Sequence, residues 1–127
     1  MFAYGTLQFP EVLKVLIGRV PQQTTAAAPG WRVAALPGRV YPGLVPQPNT
    51  LAHGIVLHGL TADEWQILDA FEDEYDLRPI DLANTPTPTW TYIWAAAVSQ
   101  GNWHPDLFAT THLAHFVTHC AEWRAHR

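Results

Sequence analysis

Apolar positions along the chain recur with two different periods. In three segments they return every three or four residues, which is the pattern of an α-helix with one buried face. The first of these helices begins at Pro10 and ends near Gly18, the second covers residues 61–72, and the third covers residues 106–124. Proline favours a first helical turn, glycine favours a helix end, and a threonine–glutamate capping box opens the second helix.

Shorter segments are continuously apolar or alternate with period two, which is typical of β-strands. The predicted strands are residues 2–4, 31–36, 51–60, 78–83 and 90–98. The last two are expected to pair as a hairpin across a proline-rich turn. Residues 19–30 predict a loop, and residues 37–50 predict an irregular segment, because proline donates no ladder hydrogen bond. Short strands mixed with about three helices indicate the α+β class.

Composition limits what kind of protein this is. The chain has 127 residues, 48% of them apolar, which suits one core and a single domain over residues 1–127. A formal net charge of -4 and seven scattered basic residues argue against nucleic-acid binding. Apolar runs are a handful of residues long, which predicts no membrane span. The start of the chain lacks the pattern of a signal peptide, so a cytoplasmic location is expected.

Two features of the last helix invite a chemical interpretation. Cys120 is the single cysteine and lies in the apolar stripe, which indicates a buried structural thiol rather than a nucleophile. His115 and His119 are one turn apart on the polar face, and Glu122 follows them. No ligand from another segment accompanies them, so a solvated polar face is preferred and no metal site is predicted.

The segment Tyr4 to Leu7 is a first candidate for chemistry. A strand opens there into a glycine turn just before a helix. Successive backbone amides in such a turn can converge on an anion such as a carboxylate. The alternative is an ordinary strand-to-helix connection.

Glu72 is a second candidate because it stands at the end of an amphipathic helix, one residue beyond Phe71. A carboxylate among Trp, Phe and Leu side chains is desolvated, which raises its pKa and makes it a general base near neutral pH. The alternative is a solvated acidic helix end without a catalytic role. Glu74 takes the same role only if the helix ends earlier than predicted.

Several motifs together give the chain a family resemblance. They occur in family order over nearly the whole length, and residues 116–124 at the end also match. The chain resembles the gamma-glutamylcyclotransferase-like superfamily, above all its gamma-glutamylamine cyclotransferase and plant avirulence-induced branch. The motifs are Phe2 to Leu7, Tyr41 to Leu44, Gly54 to Val56 and Leu68 to Glu72.

The resemblance implies a small mixed-strand β-barrel flanked by helices, with a substrate cavity inside. It implies an enzyme that releases 5-oxoproline and a free amine from a small gamma-glutamyl substrate, without cofactor or metal. Tyr4, Gly5, Thr6 and Leu7 would hold the glutamyl α-carboxylate, with Glu72 as general acid and base. Tyr75, the other substrate-binding residue, would correspond to a family tyrosine near the site. The leaving amine and the oligomeric state stay open.

The chain also departs from the family pattern. The family has glycine after the glutamate, where this chain has Asp73, and an arginine closely after the tyrosine, where Arg78 follows Tyr75 by three residues. These changes keep an alternative in view, a non-catalytic module that binds a carboxylate metabolite in the same pocket.

Two further segments carry open alternatives. Tyr41 to Leu44 either frames the mouth of the pocket or is a simple turn. One strand face bears alternating aromatic residues that either line the pocket for the leaving amine or, as is preferred, pack in the core. These residues are Trp90, Tyr92 and Trp94.

Overall fold

The computed structural model describes all 127 residues and confirms the α+β class. A single turn of 3-10 helix, Thr6–Gln8, joins the first strand to the first helix. The elements in chain order are β1 (Phe2–Ala3), α1 (Pro10–Ile17), β2 (Gln23–Ala35), β3 (Pro42–Leu57), α2 (Ala62–Phe71), β4 (Asp76–Ile80), β5 (Thr89–Ile93), α3 (Pro105–Thr111) and α4 (Leu113–Ala125).

The strands form two sheets that do not close into a barrel, whereas the resemblance implies a closed or nearly closed one. One sheet has the order β1-β3-β2 and the other is the β4-β5 hairpin, and all pairs are antiparallel. Single backbone bonds connect the sheets, among them Trp94 N–H to Leu44 O at 3.0 Å and Ala83 N–H to Ala27 O at 2.8 Å. The predicted hairpin is confirmed, although β4 starts before residue 78 and β5 ends at Ile93.

The predictions of a loop over 19–30 and an irregular segment over 37–50 were wrong for most of both segments. Strand β2 begins at Gln23 and pairs with β3, which begins at Pro42, so only residues 19–22 and 37–41 lie outside the strands. Their prolines are tolerated because of where they lie. Pro29 stands at a bulge beside Gly30, which has a φ of +83°, and β1 pairs with β3 only at Val56 and Ile55. The proline-rich first half of β3 therefore has a β-strand ladder on one side only, where proline costs little.

The first two helices have the predicted ends. Pro10 opens α1, and Gly18 closes it in the left-handed conformation with a φ of 79°. Glu64 N–H donates to the Thr61 hydroxyl at 3.1 Å, and Thr61 N–H donates to the Glu64 carboxylate at 2.9 Å. Both halves of the capping box are present, so the chain turns into α2 at a fixed point.

The predicted last helix is two helices, α3 and α4, with a non-helical His112 between them (φ −124°, ψ −20°). The hydroxyl of Thr110 donates back to the carbonyl of Asp106 at 3.2 Å, and such back-bonding bends helices. The chain therefore has four helices instead of three. None of them is long and apolar enough to cross a bilayer.

Two groups of buried side chains lie on either side of the first strand and its turn. One lies among the helices and includes Leu13, Leu68 and a fully buried Cys120, as the apolar stripe predicts. The other lies between the sheets and includes Tyr4 and Leu44. The segment that follows β1 therefore crosses from one core group to the other, and the candidate site is built at this junction.

Candidate active site

The backbone turns sharply between Tyr4 and the 3-10 helix. Gly5 begins that helix with φ −120° and ψ −131°. A Cβ atom on Gly5 would stand 2.9 Å from Cγ of Pro42, so only glycine lets the turn approach β3 this closely. All four residues of the predicted anion-binding segment, Tyr4 to Leu7, are buried.

This turn leaves three consecutive amide groups without a protein acceptor. The turn's own bonds are donated by the N–H groups of Gln8, to Gly5 O at 3.2 Å, and Phe9, to Thr6 O at 3.2 Å. No backbone carbonyl or side chain accepts from Gly5, Thr6 or Leu7. Buried N–H groups without a partner are rare in folded proteins, so three in a row at a cavity indicate donors for a bound group.

The four residues Tyr4 to Leu7 line a narrow inner cavity of about 320 Å³, including its opening to solvent. Glu72 lines the same cavity, as do Tyr75, Tyr92 and Pro42. The structure therefore brings together every residue of the predicted site, from segments more than sixty positions apart. Pro42 belongs to the motif Tyr41 to Leu44, for which two interpretations were open, the mouth of the pocket or a simple turn. Its place in the cavity lining agrees with the first.

Glu72 ends helix α2, where its backbone leaves the helical conformation (φ −91°, ψ 40°). Its side chain is half-buried, and no protein group donates a hydrogen bond to it. Burial raises the pKa of Glu72 to about 8, and the nearby charges of Asp73 and Glu74 act in the same direction. Because the carboxyl group titrates near neutral pH, it can both accept and return a proton.

Three tyrosines around Glu72 are held as neutral phenols. Their hydroxyl groups donate to fixed acceptors: Tyr4 to the carbonyl of Tyr92 at 2.5 Å, Tyr75 to the carbonyl of Pro42 at 2.7 Å, and Tyr92 to Asp69 at 3.3 Å. Burial, followed by nearby negative charge, raises the pKa of all three phenols. Since the hydroxyl hydrogens are committed, the oxygen of Tyr75 faces a ligand as a hydrogen-bond acceptor.

A second cavity adjoins the first. We call it the outer cavity; it has a volume of about 710 Å³ including its opening and shares three lining residues with the inner cavity, Thr6, Glu72 and Tyr75. Its other lining residues are four aromatic side chains, two carboxylates and one histidine: Tyr41, Phe71, Phe116, Trp123, Asp73, Glu74 and His119. Glu72 stands where the two cavities meet.

Glu74, the alternative acid and base, is occupied in an ion pair. Arg39 donates to it at 2.7 Å, and the Tyr41 hydroxyl donates to its other oxygen. These two hydrogen bonds, Tyr41 before Arg39, hold the pKa of Glu74 below its ordinary value. A carboxylate with a lowered pKa is a weaker base than Glu72, so the geometry favours Glu72 for proton transfer.

Other predicted positions lie away from the site. Arg78 is exposed on β4, where it bonds to the carbonyl of Leu77. The prediction that the alternating aromatic residues pack in the core is wrong for Trp90, which is 50% exposed. Tyr92 and Trp94 are buried, and Tyr92 also lines the inner cavity. Trp90 pairs with Pro79 near the turn end of the β4–β5 hairpin, and neither core group includes it.

The histidine-bearing face of α4 is exposed, as predicted. No group of three or more His, Cys, Asp or Glu side chains is placed to hold a metal ion. His119 nevertheless lies at the rim of the outer cavity.

The contribution of α4 to the site is not visible in the sequence. Phe116 and Trp123 lie on its apolar stripe and pack against Phe71, with ring centroids 6.2 and 5.0 Å away. The helical period indicates that such residues are covered, but it does not indicate whether protein or a cavity covers them.

A buried turn with unpaired amides beside a carboxyl group of raised pKa is a candidate small-molecule site in an α+β domain. The family model described as "Gamma-glutamyl cyclotransferase, AIG2-like" matches residues 1–107. The chain therefore belongs to this family, as its motifs predict.

Relatives and solved structures agree with the assignment. The chain is 37% identical to AIG2-like protein C of Arabidopsis thaliana over 131 residues, 99% of this chain and 69% of that protein. It is 40% identical to AIG2-like protein B of the same plant over 125 residues, 92% of this chain and 73% of that protein.

Two solution structures of Arabidopsis thaliana proteins share the fold. One has a TM-score of 0.71 and 32% identity, covering 93% of this chain and 85% of its own. The other, with a TM-score of 0.70 and 22% identity, covers 96% of this chain and 79% of its own.

Proposed function

We propose that the protein is a gamma-glutamyl cyclotransferase, which releases 5-oxoproline and a free amine from a gamma-glutamyl amine or peptide. One observation carries the proposal. The carboxyl group of Glu72, with a pKa of about 8, lines the same narrow cavity as the three amides of Gly5, Thr6 and Leu7 that lack a protein acceptor. Family membership supports the same reaction class.

The three amides suit the glutamyl end of the substrate. Fixed backbone donors share the charge of a carboxylate without a lysine or arginine, and the inner cavity is lined by neither. With the α-carboxylate held there, the cavity restricts the rotatable bonds of the glutamyl chain. A ring closure that is already intramolecular gains most from such restriction, because the attacking nitrogen and the carbonyl carbon are held within reach. One amide can also face the oxyanion that develops on the carbonyl.

Glu72 supplies the proton transfers. The substrate's α-ammonium gives one proton to ionised Glu72, and the neutral nitrogen attacks the γ-carbonyl carbon. As the bond between carbonyl carbon and leaving nitrogen breaks, Glu72 returns this proton to the leaving nitrogen. The new ring nitrogen keeps one hydrogen and releases one, which the free amine takes up as it becomes an ammonium ion. The oxygen of Tyr75 accepts a hydrogen bond from the α-amine before attack.

Mass-spectrometric detection of 5-oxoproline tests the proposal. Purified protein is incubated with gamma-glutamyl amines and dipeptides, beside Glu72→Gln and the matched control Glu11→Gln. Glu11 is exposed in the first turn of α1 and lines neither cavity. We expect product from the wild type and Glu11→Gln, and at least a ~100-fold loss in Glu72→Gln, the usual effect of removing a general base.

Full activity in folded Glu72→Gln would overturn the mechanism. The non-catalytic alternative has a different result: calorimetry would detect binding of gamma-glutamyl compounds to the wild type while no 5-oxoproline forms.

A further inference from the structure

The outer cavity has an unusual combination of side chains for a site that adjoins a substrate pocket. Half of its ten lining residues are aromatic, three are carboxyl residues, and none is lysine or arginine. Aromatic faces and carboxylates attract cations, whereas carboxylates repel a further carboxylate. The lining is therefore selective by charge.

The carboxyl groups of the outer cavity differ in how far they are already neutralised. Glu74 is paired with Arg39, whose guanidinium also lies 5.0 Å from the ring centre of Trp94. Asp73 is exposed and has no ion-pair or hydrogen-bond partner in the protein. Its charge reaches the reacting centre, because it is among the causes of the raised pKa of Glu72. Asp73 is therefore the carboxylate left to attract a ligand.

The position of the outer cavity fixes which part of a substrate enters it. Glu72 must reach both the attacking and the leaving nitrogen, and it lines both cavities together with Thr6 and Tyr75. With the glutamyl group at the amides of the inner cavity, the bond that breaks lies at the junction. The rest of the leaving amine then extends into the outer cavity. Arg127, which lies 5.2 Å from the ring centre of Trp123, lines the neighbouring groove and not this cavity.

We propose that the outer cavity binds the leaving group of the substrate and selects amines that carry a second positive charge over amines that carry a carboxylate. A diamine linked to glutamate through one nitrogen has this chemistry, since its free ammonium would lie near Asp73 and the aromatic walls. The inference rests on the proposed cyclotransferase function and adds the class of leaving group.

Three gamma-glutamyl amides of matched length test the charge preference. Their leaving amines are 1,5-diaminopentane, hexylamine and 6-aminohexanoate, in which five methylene groups separate the reacting nitrogen from an ammonium, a methyl or a carboxylate group. We expect kcat/KM to be at least about tenfold higher for the ammonium than for the carboxylate compound, because ion pairing and cation–π contacts act in the same direction. The preference will weaken in 0.5 M salt because the interaction is electrostatic.

Asp73→Asn locates the preference. We expect the ratio of kcat/KM for the ammonium and methyl compounds to fall toward one in this variant. Removal of Asp73 also changes the pKa of Glu72, but this affects all three substrates alike and cancels in the ratio. Asp76→Asn is the control: it makes the same charge change three residues away and lines neither cavity, so the ratio stays at the wild-type value.

The outcomes separate the two proposals. Turnover of all three compounds without a charge preference, or with preference for the carboxylate, overturns the leaving-group assignment and leaves the cyclotransferase function standing. If the charge preference is unchanged in Asp73→Asn, the outer cavity is not its source. If none of the compounds nor any in the wider panel yields 5-oxoproline, the cyclotransferase function fails, and the assignment falls with it.

Discussion

Replacing Glu72 with glutamine removes a cost that the folded protein bears at high pH. The pKa of Glu72 is raised from 4.5 to about 8 in the folded state. Between these values the folded state holds a proton that the unfolded state has released, so stability falls as pH rises. The cost is absent below pH 4.5 and complete above pH 8. Glutamine has no proton to lose, so the variant lacks this dependence.

The structure sets the size of the effect. Each tenfold difference in proton affinity between folded and unfolded states corresponds to about 1.4 kcal/mol, so the full difference for Glu72 is about 5 kcal/mol. The carboxyl group is half-buried, and water and counterions that reach it reduce the cost. We therefore expect Glu72→Gln to be more stable than the wild type by about 2–4 kcal/mol at pH 9, and equal to it within about 1 kcal/mol at pH 5.

Urea unfolding followed by circular dichroism at pH 5, 7 and 9 measures this difference, and it needs no knowledge of the substrate. Glu11→Gln is the flat control, since it removes an exposed carboxyl group of the same type. Glu74→Gln gives the opposite sign, because the pKa of Glu74 is lowered and its charge stabilises the folded state above pH 4.5. Parallel pH profiles for wild type and Glu72→Gln would refute the raised pKa, and with it the chemical argument for this residue.

Four further predictions have defined outcomes. Gly54→Ala places a Cβ atom 2.4 Å from the carbonyl oxygen of Ala3, so we expect a loss of about 1–3 kcal/mol in urea unfolding as β1 moves off β3; an unchanged midpoint would contradict this. Tyr75→Phe removes the bond to β3 and should cost about 1 kcal/mol in the same assay. Glu64→Gln keeps a capping acceptor, because glutamine also serves in a capping box, but it loses the ion pair with Arg19, a cost of about 1 kcal/mol at pH 7. Because the pKa of Glu64 is lowered to about 2, its contribution is complete above pH 4.5 and lost as pH falls through 2, where variant and wild type converge. The thiol of Cys120, with burial raising its pKa to about 12, should react with a thiol reagent only at the rate of unfolding, and rapid labelling of the native protein would contradict its burial.

Local signals account for the parts of the fold that sequence analysis predicted well. The ends of α1 and α2 depend on residues that act within one helical turn, such as Pro10, Gly18 and the capping box at Thr61. Proline in a strand is a different case, because its cost depends on which edge of the strand is paired. That information is not local. The first half of β3 is free of β1 on one side, so its prolines were misread as breaks in the strand.

The candidate site also combines features that local sequence predicts with features that depend on contacts between distant segments. The turn from Tyr4 to Leu7 and the helix end at Glu72 are each visible in a short stretch of sequence, and family order links them. The aromatic wall from α4 and the pairing of Arg39 with Glu74 are contacts between distant segments. Periodicity marks Trp123 as covered, yet only the fold shows that part of its cover is a cavity.

The position of Glu72 at the end of a helix explains why one residue has the properties of a proton shuttle. The last carbonyl groups of α2 carry partial negative charge, which disfavours an ionised carboxylate there. Burial between two cavities and the charges of Asp73 and Glu74 act in the same direction. A residue in the middle of α2 would be exposed to fewer of these effects, and a residue one position further along the chain would be solvated, as Asp73 is. The raised pKa therefore follows from where the helix ends, and a change that moves that end by one residue should remove it.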